Sequence, residues 1–304
     1  MIKTNLDLSI IILNYNAKSF LPACLGSIKP AKGINYEIIV VDNNSTDGSQ
    51  DFLKNLKIKN LKTIFNSQNL GFATGNNVGV KNSSGRYLLF LNPDTIVGPK
   101  AVETALSFAK QHSRAGAISV KIELTNGKMD QGSHRGFPTP WRAFCHFSGL
   151  SKLFPQSKLF AGYQLGHLKN SPDPHQIDSC CGAFLLVSRL AGDKVGWWDE
   201  NYFFYGEDID LCYRLVQAGY QNYFLPQAKI THFWGGSSGI KKDSQKISQA
   251  SLETKIRSAK MSTKAMEIFY QKHYAHQYPT LITSLVLLTI RILTVLRIAL
   301  IKRR

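Results

Sequence analysis

Short apolar runs of strand length alternate with stretches of helical spacing over roughly the first 100 residues, and this alternation is the tightest constraint on the fold. The runs are Leu8–Leu13, Glu37–Val41, Leu61–Phe65 and Tyr87–Leu91. Between them, Lys18–Ile28 places Phe20, Leu21, Cys24, Leu25 and Ile28 on one helical face. A second helix runs through Phe52, Leu53 and Leu56, and Ala73–Val80 also has helical spacing. Such alternation builds βαβ units with right-handed crossovers and a mostly parallel sheet. The expected fold class is α/β, with helices flanking the sheet.

The Tyr87–Leu91 run is apolar throughout, as a strand covered on both faces would be. It stops at Asn92-Pro93-Asp94, because proline cannot donate to a sheet ladder. Two other strands end in polar clusters, Asn14-Tyr15-Asn16 and Asp42-Asn43-Asn44. In a parallel sheet these ends share one edge, the place where open α/β sheets hold ligands. A nucleotide is expected there. Neither G-x-x-x-x-G-K-[ST] nor a G-x-G-x-x-G after the first strand is present, which excludes a P-loop and the usual dinucleotide fingerprint. Each cluster also has a plainer reading. Asp42 can cap the next helix, Asn-Pro-Asp can be a turn, and Asn69-Leu70-Gly71 can be a strand-to-helix connection. Gly75-Asn76-Asn77 inside a helical pattern is harder to explain so simply, since Gly and Asn are poor in helix interiors.

Thirty-seven Lys and Arg against 20 Asp and Glu give a net charge of +17. That excess suits a phosphorylated substrate, an anionic membrane surface or nucleic acid. No RNA- or DNA-binding block appears, so nucleic acid is not expected as a partner. The five cysteines are odd in number and lack C-x-x-C spacing, which fits a reducing compartment without a disulfide framework or structural zinc. The first residues show no charged, apolar and small-residue succession, and we read no signal peptide there.

Three segments together resemble the family 2 glycosyltransferases, closest to the rhamnosyltransferase-like branch that builds bacterial surface polysaccharides. They are V-V-D-N-N-S-T-D-G-S (Val40–Ser49), N-L-G-F-A-T-G-N-N-V-G (Asn69–Gly79) and L-F-L-N-P-D (Leu89–Asp94). With the later G-E-D-I-D-L-C-Y-R block, the likeness covers roughly Leu8 to Ser238. It implies a Rossmann-like GT-A fold, a dTDP- or UDP-sugar donor, a divalent cation (Mg²⁺ or Mn²⁺) and inversion at the anomeric carbon. Carried over by position, Asp42 reads the pyrimidine ring, and Asn14 and Asn16 lie along the nucleotide. Asn69, Gly71 and Asn77 lie near its ribose and diphosphate. Asp94 is the metal carboxylate of a D-x-D-like motif whose first position here is Asn92, which brings a carbonyl oxygen and no charge. The cation then depends mainly on Asp94, the diphosphate and water, a set that Mg²⁺ accepts.

Beyond Asp94, Pro99–His112 reads as a helix and Ala115–Val120 as a strand, and Asn126-Gly127 is a hairpin signal. Gly132–Pro174 is loop-rich, basic and aromatic, with Arg135, Trp141, Arg142, Phe144 and Phe147. It is either an acceptor-binding insertion or a cover over the core. Ser179–Ser188 reads as a strand that opens with small residues. A helix begins near Glu207 or Asp208 and carries Ile209, Cys212, Leu215 and Val216 on one face. Successive helical residues point about 100° apart, so the two acids face different ways. Displacement by a hydroxyl needs a general base. The resemblance puts it at the second acid, Asp208, with Glu207 beside it as the other candidate. Acids also favour helix N-termini through the dipole alone. Asp210 and Arg214 are spaced for an i,i+4 pair. Asn222–Leu225 is a short strand stopped by Pro226. His232 precedes Gly235-Gly236-Ser237-Ser238, and in the family a His here meets the metal or the leaving diphosphate.

Residues 1–238 are thus expected to form the catalytic domain, with a donor half to about 120 and an acceptor half after it. Residues 239–304 form a linker and C-terminal helices. Ile247–Tyr274 is a basic helix. Thr280–Ile301 is about 22 residues long, enough to span a bilayer. However, Thr280, Thr283, Ser284, Arg291, Thr294 and Arg297 fall in an arc of roughly 140°. An amphipathic helix lying in the plane of an anionic membrane fits that arc better than a span. The reading is an inverting, metal-dependent glycosyltransferase with a saccharide or lipid-linked acceptor. It would sit on the cytoplasmic face of the bacterial inner membrane, peripherally or through one C-terminal anchor. A sugar-phosphate nucleotidyltransferase and a non-enzymatic basic protein binding membrane or nucleic acid by charge are the alternatives.

Overall fold

The computed structural model describes residues 6–233 and 251–303. In its first part, β-branched and leucine runs form β1 (Leu8–Asn14), β2 (Tyr36–Asp42), β3 (Leu61–Phe65) and β4 (Tyr87–Leu91). Helices α1 (Leu21–Ser27), α2 (Ser49–Asn55) and α3 (Gly71–Lys81) alternate with them. The rest comprises β5 (Thr95–Val97), α4 (Ala101–Gln111), β6 (Ala115–Leu124), α5 (Pro140–Ser148), α6 (Leu150–Leu153), β7 (His175–Ile177), β8 (Phe184–Ser188), α7 (Arg189–Val195), α8 (Glu207–Gln217), β9 (Gln221–His232), α9 (Leu252–His273) and α10 (Thr280–Lys302).

The sheet order is β3-β2-β1-β4-β8-β6-β9-β5, with β7 added on β9. The parallel expectation holds for β3, β2, β1 and β4. Beyond β4 the sheet is mixed: β8 runs antiparallel to both β4 and β6, whereas β6 and β9 are parallel. Periodicity marks a strand as buried but carries no information on its direction, so this reversal is absent from the pattern. Ile10, Ile11, Leu89 and Phe90 are fully buried, and alternate residues feed two apolar clusters, one per sheet face.

Two local expectations change. Pro226 does not end its strand: β9 continues to His232. The register against β6 shifts between Val120 and Lys121, where Leu225 and then Lys229 are the partners. The proline therefore sits in a bulge, the position within a sheet that tolerates a missing donor. In the stretch read as loop-rich, residues 140–153 form α5 and α6. Thr139 caps α5 by accepting from Arg142 N, and Pro140 occupies its first turn.

Helix α9 packs into the second cluster through Phe269 and Tyr270, with Tyr274 just beyond its end. Helix α10 lies against α9, where Tyr270 and Thr283 hydroxyls are 3.1 Å apart and Arg297 donates to Ser262 Oγ at 3.0 Å. So Thr283 and Arg297, expected on a water-facing polar arc, meet α9 instead. Leu281, Leu285, Leu288 and Leu296 are exposed. The Gly235–Ser238 loop and the 239–244 linker lie outside the described residues.

Candidate active site

The carboxyl ends of β1, β2 and β4 meet as expected, and the β1–β2 register sets Asn14 beside Asp42. Asn14 Nδ2 donates to Asp42 Oδ2 at 2.7 Å and to Ser45 Oγ at 3.1 Å. Ser45 N and Gln50 Nε2 donate to Asp42 Oδ1. Asp42 is fully buried. A carboxylate has about four acceptor sites, so about one remains free. Asn14 Oδ1 is buried without a partner, which points to a ligand donor, since buried polar atoms are nearly always paired. Asn16 adopts a left-handed φ of 51° and accepts from Thr46 N through Oδ1.

The Asn69–Asn77 segment is mostly engaged inside the protein. Asn69 Oδ1 accepts from Gly71 N and from Asn43 Nδ2. Gly71 has φ +81°, and a Cβ there would lie 2.5 Å from the Phe203 carbonyl oxygen. Asn77 Nδ2 donates to Trp198 O and Glu200 Oε1, and its Oδ1 accepts from Trp198 N. Gly75 allows α3 to approach β1, because a Cβ would lie 2.5 Å from a Leu13 methyl. The glycines and amides of this motif thus seat α3 against β1 and the 198–203 segment.

Asp94 and His232 are 138 residues apart in sequence, and the short β5 joins them by pairing Thr95 with His232. Phe233 N donates to Asp94 O at 2.9 Å, and His232 Nε2 lies 3.2 Å from Asp94 Oδ1. On the other side of the ring, Nδ1 is 3.6 Å from Asp130 Oδ2. Burial works against a charged imidazole, but the two carboxylates override it and raise the His232 pKa to about 9. Asp130 had no motif to announce it. Asn92 holds the turn through its backbone oxygen, which accepts from Thr95 Oγ1 at 2.7 Å. Among the described residues no group of three or more His, Cys, Asp or Glu side chains is arranged to hold a metal ion. Asp94 fits a hard cation that brings further oxygen ligands with it; His232 joins as a ligand only on giving up the proton its two carboxylates favour, and the pair does not form a closed cage.

Glu207 and Asp208 open α8 behind Gly206, which has φ +84°. Their environments differ sharply. Asp208 Oδ2 accepts from Arg135 at 2.7 Å. Glu207 is buried and its Oε2 has no partner. Burial, and then the adjacent Asp208 charge, push the Glu207 carboxyl well above the usual range. Glu207 is therefore a buried carboxyl with an unpartnered oxygen, whereas Asp208 is paired with a guanidinium. Arg135 N and O exchange hydrogen bonds with Ser179 O and N, in the segment that leads into β8. Cys180 and Cys212 are buried free thiols that pack in the second apolar cluster.

One turn along α8, Asp210 is fully buried and accepts from Arg214 Nε at 2.6 Å, from Lys272 Nζ at 2.8 Å and from His273 Nε2 at 2.7 Å. The Arg214 pair is the i,i+4 contact expected from spacing; the two α9 partners are new.

A mixed sheet with polar strand ends gathered on one edge is the architecture, and the sequence comparison names the class: residues 9–183 match glycosyl transferase family 2, and the chain belongs to that family. It is a glycosyltransferase, which decides against the nucleotidyltransferase and charge-only alternatives. Among its relatives, N-acetylglucosaminyl-diphospho-decaprenol L-rhamnosyltransferase of Mycobacterium tuberculosis is 28% identical over 243 residues, 76% of this chain and 78% of that protein. Rhamnosyltransferase WbbL of Escherichia coli K12 is 26% identical, covering 74% and 82%. In fold the chain is similar to GalNAc-T7, crystallised with UDP, GalNAc and Mn²⁺ (TM-score 0.58, 17% identity, 88% of this chain and 50% of that one). It is also similar to S. aureus TarS (TM-score 0.52, 15% identity, 89% and 73%).

Proposed function

We propose that this enzyme is an inverting, divalent-cation-dependent glycosyltransferase of surface-glycan synthesis. It would move a sugar, rhamnose by its relatives, from a dTDP- or UDP-sugar to a hydroxyl of a lipid-linked saccharide. The observation that carries this reading is the contrast between the two acids at the start of α8. Asp208, held by the Arg135 guanidinium, would accept the acceptor hydroxyl proton as the oxygen attacks the anomeric carbon. Glu207, buried with an unpartnered carboxyl oxygen and a carboxyl pushed toward its neutral form, is unsuited to that role. A positioned base of this kind contributes roughly 10²–10⁴-fold. Direct displacement with one base inverts the anomeric configuration.

At the donor edge, the remaining acceptor site of Asp42 and the unpartnered Asn14 Oδ1 suit the N–H of a pyrimidine ring. Asn16, Asn69, Gly71, Asn77 and Asn92 shape the wall along the nucleotide, mainly through the backbone they hold. Asp94 and His232 would hold Mg²⁺ or Mn²⁺. That cation, when bound, offsets the charge of the departing diphosphate.

Helix α10 is the one described helix long and apolar enough to cross a membrane, and almost none of it is buried in the protein. With the basic residues around it, this supports a place on the cytoplasmic face of the inner membrane, either in its plane or anchored through it. The relatives' names support a lipid-linked acceptor. The test is a panel of dTDP- and UDP-sugars incubated with a lipid-linked acceptor, with and without Mg²⁺ or Mn²⁺. NMR of the product reads the anomeric configuration. A retained configuration, or turnover indifferent to chelator, would overturn the corresponding part of the proposal.

A further inference from the structure

Residues 131–172, between β6 and β7, include five cations, Arg135, Arg142, Lys152, Lys158 and Lys169, and no Asp or Glu. The same stretch carries a large exposed apolar surface: Leu153 is 73% and Phe144 56% accessible, and Trp141, Phe147, Phe154 and Leu159 are also exposed. These side chains are not scattered. Ring centroids of Trp141 and Phe144 are 5.7 Å apart, those of Trp141 and Phe160 6.2 Å, and those of Phe154 and Phe160 5.1 Å. A contiguous apolar patch of this kind marks an interaction surface. Trp141 Nε1 already donates to Leu159 O at 3.0 Å, so the indole can leave water without losing a hydrogen bond. Exposed Lys152 and Lys158 flank the rings.

This excursion is rooted where α10 is rooted. Phe137 packs edge-on against Tyr213 at 5.0 Å, and Tyr213 meets Phe269 at 5.6 Å and Tyr274 at 5.8 Å, next to the start of α10. Residues 280–304 likewise contain five cations, Arg291, Arg297, Lys302, Arg303 and Arg304, and no acid. Most of the exposed large apolar side chains lie in these two stretches. Aromatic rings with lysines around them and acyl-facing leucines beside them match the chemistry of an anionic bilayer interface.

We propose that the α5–α6 excursion is a second membrane-contacting element, which sets Trp141, Phe144, Phe147, Leu153 and Phe154 into the interface of an anionic bilayer next to α10. This rests on the membrane reading of α10. Its neck is Arg135, hydrogen-bonded to Asp208, so only the short run from Arg135 to Trp141 separates the base from lipid. A lipid-linked acceptor held in that bilayer is thereby presented to Asp208 at a fixed depth.

The test uses the full-length protein and vesicles of phosphatidylethanolamine with phosphatidylglycerol, or of phosphatidylcholine alone. The patch variant is Phe144→Asp/Phe154→Asp and the helix variant Leu288→Asp/Ile292→Asp, both first checked for unchanged melting temperature. We expect the patch variant to bind phosphatidylglycerol vesicles at least about tenfold more weakly than wild type, since each buried Phe contributes roughly tenfold or more. Brominated lipid should also quench a wild-type fluorescence component that Trp141→Phe lacks. A patch variant that binds like wild type, with no lipid-sensitive Trp141 component, would overturn this inference. If the helix variant then loses binding, the membrane reading of α10 survives alone; if wild type itself ignores vesicles, both fall. Dimerisation in solution that Phe144→Asp/Phe154→Asp abolishes would identify the patch as a self-interface and also overturn the inference.

Discussion

Arg135 and Asp208 are 73 residues apart in the chain and joined by a 2.7 Å hydrogen bond between partly buried groups. The arginine orients a carboxylate at the mouth of α8. Arg135→Ala should lower kcat by roughly 10²-fold while leaving the donor KM within about threefold, because the lost contact bears on the proposed base and not on the nucleotide. Arg135→Lys keeps the charge but not the fork, and should recover part of the rate. Asp208→Asn should cost more than either. Steady-state kinetics on all three variants checks the order.

Asp94 and His232 present too few ligands for a cation on their own. Titration calorimetry of the donor-free protein with Mn²⁺ should show only weak binding, roughly millimolar, as for sites built from few carboxylates. Nucleoside diphosphate should tighten it by about tenfold or more, and Asp94→Asn should remove that gain. Tight binding before nucleotide arrives would contradict the site described here.

Asp210 anchors α9 to α8 as a buried carboxylate among three cationic or protonatable partners. Burial opposes its ionisation, yet the His273 hydrogen bond with Arg214 and Lys272 holds its carboxyl well below the usual range. A depressed carboxyl stabilises the fold above its unfolded pKa, about 4, and that stability is lost as pH falls further. Asp210→Asn should therefore destabilise by roughly 3–5 kcal/mol at neutral pH, since it leaves buried cations uncompensated. Thermal melts from pH 7 to pH 3 should show the wild type approaching the variant at the acid end.

His134 is buried, with its Nε2 2.8 Å from His175 Nε2. Burial, with some repulsion from His175, lowers its pKa to about 4. The folded protein thus binds this proton later than the unfolded chain does, so stability is complete above about pH 6.5 and declines between 6.5 and 4. At pH 5.5 the loss should be roughly 1 kcal/mol relative to pH 8. Denaturant titrations of wild type and His134→Gln at both pH values should show that the pH-dependent difference shrinks in the variant.

Much of the donor half was legible because its information is local. Each of β1, β2 and β4 is a largely apolar run closed by its own polar cluster, and the sheet then places Asn14, Asp42 and Asp94 on one edge. The acceptor half encodes its site in contacts between distant segments. Nothing near Asp130 announces that it faces His232, and nothing near Arg135 announces Asp208. Helix α5 did carry a local signal, Thr139-Pro140 ahead of Trp141, hidden by the glycines and aromatics around it. Pro226 misled because a proline stops a regular strand but not a bulged one.

The Asp210 cluster has a mechanical meaning. Lys272 and His273 stand at the end of α9, immediately before the turn into α10, and they grip the helix whose first residues are Glu207 and Asp208. A displacement of α10 would reach Glu207 and Asp208 through this ion-paired joint and through the Tyr213 ring packed on Phe269 and Tyr274, so the far end of the chain and the start of α8 move as one unit.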